Sequence, residues 1–271
     1  MLDHARVRLV AVALVGALAA FSASAQQPSA LPASIPGLLK GYLSPDALPD
    51  SLALLPPPPA ARSAEFALDE AVARASVPQR GTPRWTQATL DADLSFPNAP
   101  AAFSCALDAP ITEERTPKLY LLLRRTLTDV GLSTYGAKKR YQRGRPFVAN
   151  KEPICTPGDQ AALATDGSYP SGHTAIGWAW ALLLTEMAPE RADAILARGL
   201  AYGESRNVCN VHWHSDVVEG RVMGAGTVAR LHADAAFRAD LDAAKSELAA
   251  VRAQGAKPSR DCAAEAAALT K

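Results

Sequence analysis

The chain has 271 residues, 48% of them hydrophobic, and a formal net charge of +1. That length fits one domain of ordinary size, and the apolar share suffices for a sizeable core, which excludes wholesale disorder. A charge this close to zero argues against a basic nucleic-acid binder and against a polybasic membrane-surface protein.

Residues 1–25 have the form of a secretory signal peptide. Arg6 and Arg8 make a positive start, Leu9 to Phe21 is apolar, and Ala23-Ser24-Ala25 is a small-x-small cleavage site. The apolar run falls short of the roughly 20 residues of a bilayer span, and no Cys follows the site to carry a lipid. Cleavage after Ala25 removes Arg6, Arg8 and Asp3 and leaves equal numbers of acidic and basic residues, so any attraction for anions must be local. Export to the periplasm is expected. Cys105, Cys155, Cys209 and Cys262 survive cleavage. An even count in an exported chain predicts two disulfides, with three connectivities open. The expected pairs are Cys155 with Cys209, bracing segments beside the basic and His-rich stretches, and Cys105 with Cys262, tying down the tail. No CxxC pair exists to build a zinc–thiolate site.

Residues 26–62 read as a proline-rich arm ending in Pro56-Pro57-Pro58-Pro59, a run that favours extended polyproline II. The arm is expected to wrap the surface or to contact another subunit, with at most a turn of helix between Pro49 and Leu55. From Ser63, a plausible cap, apolar residues recur at helical spacing. Thr82-Pro83 and Pro97 bound a short helix around Trp85 to Leu94. Thr116 to Leu132 reads as a strong helix opened by Pro117, with Leu119, Leu122, Leu123, Leu127 and Val130 on its buried face. Residues 133–169 are rich in Gly and Pro and read as loop, with one helical turn around Ala137 to Tyr141; a loop this long in a compact domain is usually functional. Further helices are expected from Ser171 to Met187, Pro189 to Val208, Ser215 to Ala233 and Ala239 to Arg252. Residues 256–271 read as a disorder-prone tail. The fold class is all-α, one helical domain over residues 63–255.

Three stretches carry chemistry. In Pro170-Ser171-Gly172-His173, Ser171 stands where a helix N-cap belongs, and a helix N-terminus is itself an anion site. Gly172 lets a ligand approach the backbone, and His173 lies in the first turn. In the second stretch, Ser205-Arg206, His212 and Asp216, the last two are four residues apart. If His212 begins a helix, Asp216 stands one turn along the same face, takes the Nδ1 proton and leaves Nε2 free as a nucleophile. The third stretch supplies Lys138 and Arg145-Pro146: Arg offers planar, bidentate donors to phosphate oxygens and Lys a mobile charge. Lys139, Arg140, Arg143 and Lys151 crowd the same region, so a solvated basic loop is the alternative, and Arg145-Pro146, set with the other members, lifts the stretch above composition. Together these residues suit a multiply charged anion with a nucleophile on one side and an acid on the other, as in a phosphate-ester hydrolase. A competing pattern is His212-Trp213-His214 with Asp216, a metal-ligand arrangement if the segment is extended. On a helix, positions 212 and 214 would point about 200° apart, which leaves His214 a surface or supporting residue.

In order and spacing, Lys138-x6-Arg145-Pro146, Pro170-Ser171-Gly172-His173 and Ser205-Arg206-x5-His212-x3-Asp216 resemble the signature of the type 2 phosphatidic acid phosphatase and vanadium haloperoxidase superfamily. Gly167 to Trp178 and His212 to Asp216 look like the class A bacterial non-specific acid phosphatases, and the likeness runs from about Tyr42 to Leu248. Asn207 and Asn210 depart from that family, which usually has a small apolar residue and Gly there, and His214 stands where Gln is usual. The resemblance implies a helical bundle that hydrolyses phosphate monoesters without a metal or other cofactor. His212 would form a phosphohistidine, Asp216 would hold its tautomer, and His173 would protonate the leaving alcohol. Lys138, Arg145, Ser171, Gly172 and Arg206 would bind the phosphate. With histidines near the ordinary value of about 6.5, activity is expected on the acid side of neutrality. The family also implies small-molecule substrates rather than nucleic acid polymers or membranes, and a homo-oligomer. Two alternatives follow from the same residues: a vanadate-dependent haloperoxidase activity in the same pocket, and a metal-dependent phosphoesterase using His212, His214 and Asp216. A phosphate binder without activity would need the cations but not His173, His212 and Asp216 together.

Overall fold

The computed structural model describes residues 38–270; the signal-peptide expectation and the first part of the proline-rich arm lie outside them. All regular structure among the described residues is helical, and no helix there is long and apolar enough to cross a membrane. In chain order the main helices are α1 (Ala64–Ser76), α2 (Pro83–Leu90), α3 (Pro117–Ser133), α4 (Tyr135–Tyr141), α5 (Gly172–Met187), α6 (Ala192–Val208), α7 (His214–Leu231), α8 (Ala235–Ala253) and α9 (Cys262–Leu269). Sequence signals explain most of their starts. Ser63 accepts from Phe66 N at 3.1 Å and caps α1, while Thr82 and Asp234 cap α2 and α8 in the same way. Pro117 occupies the first turn of α3, where its missing N–H costs nothing.

The apolar helix α5 is central, packed along α6, α7 and α3, with α8 against the outer side of α3. Ala175, Ile176, Ala179, Trp180, Leu183 and Leu184 of α5 are buried, and so is the predicted stripe Leu119, Leu122, Leu123, Leu127 and Val130 of α3. Each such large side chain contributes about 1.5–3 kcal/mol by leaving water. Trp180 also donates from Nε1 to Thr126 Oγ1 at 3.2 Å, satisfying its one polar atom inside the core.

Two glycines let α7 lie directly on the start of α5. A Cβ on Gly220 would stand 2.6 Å from the Ser171 carbonyl oxygen, and one on Gly224 would stand 2.5 Å from that of Ala175. These are backbone atoms of a packed helix, which cannot swing aside.

The described part of the arm wraps the surface of α3. Asp129 accepts from the backbone of Tyr42 at 2.8 Å and of Leu43 at 3.0 Å, while Thr128 donates to the Leu39 carbonyl at 2.6 Å. Ser51–Leu54 forms the turn expected, a second short turn at Pro45–Ala47 precedes it, and Pro56 to Pro59 belong to no helix. Both expected disulfides are present, Cys105–Cys262 and Cys155–Cys209.

Two sequence expectations need correction. Residues 133–169 are more helical than a loop with one turn: besides α4 they hold Pro146–Asn150 and Gln160–Thr165. Gln142 and Lys151 end α4 and Pro146–Asn150 at positive φ, so these pieces are too short for a periodic signal and form where tertiary contacts fix them. The tail is also not disordered. Asp261 caps α9, Cys262 is bonded to Cys105, and Glu265 lies 3.5 Å from Arg198. These are long-range anchors, invisible in the local composition of an Ala-rich segment.

Gly220→Ala is expected to destabilise the fold by about 1–3 kcal/mol through overpacking. Gly144→Ala, where a Cβ meets open space, should stay within about 0.5 kcal/mol of the original. Denaturant unfolding of the two variants is the check.

Candidate active site

Ser171 caps α5 as expected: its Oγ accepts from Thr174 N at 3.2 Å, and Gly172 and His173 open the helix. The Ser171 N–H donates to the Asp216 carbonyl at 2.9 Å, which joins the start of α5 to the first turn of α7. The condition that His212 begin a helix is not met: α7 starts at His214, within one residue of the start expected at Ser215. After α6 the chain curls back, and the N–H groups of Val211 and His212 both donate to the Arg206 carbonyl at 3.2 and 3.3 Å. The expected pairing with Asp216 nevertheless forms, through capping. Asp216 Oδ2 accepts from Trp213 N at 2.9 Å and lies 3.3 Å from His212 Nδ1.

Arg145 fixes the tautomer of that imidazole. Its Nη1 lies 3.0 Å from His212 Nε2 and donates to the Val211 carbonyl at 2.9 Å. A guanidinium only donates, so Nε2 is the acceptor and the ring proton sits on Nδ1, towards Asp216. Lys138, on α4, donates from Nζ to the Gly167 carbonyl and to Asp166 Oδ2, the latter at 3.3 Å. Arg206, in the last turn of α6, is 2% exposed, and its Nε and Nη1 have no hydrogen-bond partner among the described residues. An orphaned, buried guanidinium is costly unless an anion completes it.

Lys138, Arg145, Gly172, His173, Arg206 and His212 line one cavity of about 190 Å³. Ser171 and Asp216 lie fully buried behind it. His214 is directed elsewhere and borders a separate cavity of about 920 Å³ with Val72 and Asn207. The larger cavity holds none of the cations or the other histidines just named, so size does not mark the chemistry here. Among the described residues no three His, Cys, Asp or Glu side chains converge as a metal set, and the His212-x-His214-x-Asp216 pattern does not meet at one point.

The electrostatics follow from packing cations in a dry pocket. Burial, reinforced by the charge on Arg145, pushes Lys138 down to about 8, and burial pushes Arg206 down to about 10. Burial followed by Arg206 holds His173 well below 6.5, and burial followed by Arg145 does the same for His212. The assumption of ordinary histidine values is therefore corrected: in the anion-free pocket both rings are neutral at neutral pH. His173 Nε2 donates to the Ala92 carbonyl at 3.0 Å.

The PAP2 superfamily model matches residues 119–239. The chain is 46% identical over 204 residues to a non-specific acid phosphatase of Providencia stuartii, covering 75% of this chain and 82% of that protein. It is 41% identical over 209 residues to an acid phosphatase of Zymomonas mobilis, covering 77% and 79%. It is 41% identical over 206 residues to a non-specific acid phosphatase of Salmonella typhimurium, covering 76% and 82%. The chain belongs to the class A non-specific acid phosphatases of the PAP2 superfamily.

Two departures of this phosphatase from the usual family pattern have a structural reason. Asn210 sits at φ +60°, a left-handed position that suits Gly and that Asn tolerates. Its amide donates to the Asn150 side chain and the Glu152 carbonyl, both at 3.1 Å, tying the turn to the segment after Arg145. Asn207 donates to the His212 carbonyl at 2.9 Å and so steadies the turn that carries the ring. The Cys155–Cys209 bond, packed with Phe147, Ile154 and Val211, joins the same two segments.

Several site residues escaped the sequence reading. Arg143, there counted with the basic loop, bridges two buried carboxylates: Nη1 donates to Asp216 Oδ1 and Nη2 to Asp69 Oδ2, each at 2.6 Å. Asp69 in turn accepts from Ser215 N and Oγ at 2.7 Å. Burial pushes the Asp216 carboxyl above its ordinary range, opposed by Arg143 and the Trp213 N–H. Asp91 accepts from Ser205 Oγ at 2.6 Å and pairs with Arg198, which explains the Ser that precedes Arg206 and fixes the loop holding the Ala92 carbonyl. The only local hint of Arg143 was its place two residues before Arg145.

Arg143→Gln leaves Asp216 and Asp69 buried without their cation; breaking such a pair costs about 3–5 kcal/mol, measurable by denaturant unfolding. In an NMR titration, the His173 ring should titrate below 6.5 without anions and move upward when saturating inorganic phosphate offsets the cations. An unmoved His173 would mean that the ring does not face the anion.

Proposed function

We propose that this acid phosphatase hydrolyses small phosphate monoesters through a phosphohistidine on His212, without a metal ion. The observation that carries the reading is the state of the His212 ring: neutral, with Nδ1–H towards Asp216 and the Nε2 lone pair on the side of Arg145. Lys138, Arg145 and Arg206 with the Gly172 N–H would hold the equatorial oxygens, and Ser171, behind the cavity, would support that turn. As phosphate binds, the Arg145 donor turns from Nε2 to a phosphate oxygen and releases the nucleophile. The bond from Nε2 to phosphorus then forms as the ester P–O bond breaks, and the leaving oxygen takes a proton from His173. Water next attacks phosphorus, loses its proton to His173 and displaces His212, releasing inorganic phosphate. Positioning and fixed charge supply most of what such a transfer needs.

The proton account favours acid conditions. His173 must be protonated to act as the acid, and a ring held below its ordinary value carries that proton only at low pH. A bound dianion lifts the value, so activity is present on the acid side and is lost as pH rises through the lifted pKa. The pocket lining also includes the apolar Leu38, Leu94, Leu132 and Ile176, which fits tolerance for varied organic leaving groups. Two disulfides and the first 25 residues support export to the periplasm with the leader removed. The proline-rich arm and the family support a homo-oligomer.

Hydrolysis of p-nitrophenyl phosphate near about pH 6, the acid side of an ordinary histidine, should persist in excess EDTA. Loss of activity to EDTA and its return with zinc would reinstate the metal reading. His212→Ala should abolish turnover while inorganic phosphate still binds. His173→Ala should cost about 10²–10⁴-fold on alkyl phosphates, and less on p-nitrophenyl phosphate, whose leaving group needs little protonation. Steady-state kinetics of the two variants reads both outcomes.

A further inference from the structure

Asp166 places a carboxylate inside a cradle of cations. Its Oδ2 lies 2.9 Å from Arg145 Nη2 and 3.3 Å from Lys138 Nζ, and it lines the same cavity as His212. Its side chain is 41% exposed, against 6% for Lys138 and 3% for Arg145, so the cations are fixed and the carboxylate has an open path to solvent. The other Arg145 donors are also occupied, by the carbonyls of Leu163, Asp166 and Val211 and by His212 Nε2. Lys138 is bonded to the Gly167 carbonyl as well. Of the three cations, Arg206 alone presents buried side-chain nitrogens without a partner among the described residues. A phosphate dianion that engages Lys138 and Arg145 must therefore take positions that another anion already holds, and like charges at that separation repel.

We propose that Asp166 sets the affinity of the phosphate site: its carboxylate stands in for a phosphate oxygen on Lys138 and Arg145, and each ester or phosphate ion binds by displacing it. The idea rests on the phosphate-monoester reading above. Phosphate docks first on the open donors of Arg206, then takes over Lys138 and Arg145 as Asp166 swings towards solvent. When phosphate leaves, the carboxylate returns and neutralises the two cations, which favours release of product.

The test compares the full-length mature enzyme with Asp166→Asn and Asp166→Ala at one pH. The readouts are the inhibition constant of inorganic phosphate, its direct binding by calorimetry, and KM and kcat for p-nitrophenyl phosphate. Both variants should bind phosphate several-fold more tightly and show a lower KM, with any fall in kcat tracing to slower release of phosphate. Unchanged or weaker phosphate binding in variants that unfold at the wild-type temperature would overturn the proposal, because Asp166 would then organise the cations instead of competing for them. If a variant is misfolded, the other decides by the same criterion. A wild-type enzyme that neither hydrolyses the ester nor binds phosphate would overturn the underlying reading instead, an outcome separable from a failure of the variants alone.

Discussion

Asp216 does not line the cavity, yet most of the site is hung on it. Its side chain takes the Trp213 N–H, the Arg143 guanidinium and the Nδ1 side of His212, while its backbone carbonyl takes the Ser171 N–H. One fully buried residue thereby joins the first turn of α7, the turn holding the imidazole, the start of α5 and the basic stretch before Arg145. A buried carboxylate is tolerated only when its lone pairs are filled. Filling them is what brings these elements together, so the need to satisfy Asp216 and the geometry around His212 are one constraint.

The second constraint is charge. Lys138, Arg145 and Arg206 are buried, while Arg143, one layer back, pairs with two buried carboxylates. Burial, followed by the surplus of positive charge, pushes both imidazoles down, and among the described residues Arg206 keeps donors without a partner. Under the proposed function a bound anion would offset that surplus, so a nearly neutral chain would draw phosphate by local charge. Asp166 is the partial relief available within the protein itself.

The scaffold makes this possible by bringing backbone close to backbone. Gly220 and Gly224 let α7 rest on the first turns of α5, and the Cys155–Cys209 bond holds the irregular segment after Arg145 against the turn before His212. Asp91, with Arg198 and Ser205, locks the end of α6 to the loop whose carbonyl receives His173. The site is thus built at helix ends and loops on a rigid core, where orphan N–H groups are available to a ligand.

The sequence alone determined what depends on near neighbours. Helical period and caps gave the long helices, because Ser63, Thr82, Pro117 and Ser171 act within a turn of themselves. Residue type and spacing named the three cations, the two histidines and Asp216. The relatives, sharing 41–46% identity, agree with the family those motifs indicated. Only the tertiary structure decided what depends on distant partners. It showed that His212 precedes its helix and meets Asp216 through a cap, that Arg143 and Asp69 stand behind the pair, and that Asp166 occupies the cradle. It also showed that Arg198 and Cys105 order the tail. Asp69 and Arg143 are 74 residues apart, and Cys105 and Cys262 are 157 apart; no local pattern encodes such pairs. They form because a buried charge or a loose end must find its complement somewhere in the folded chain.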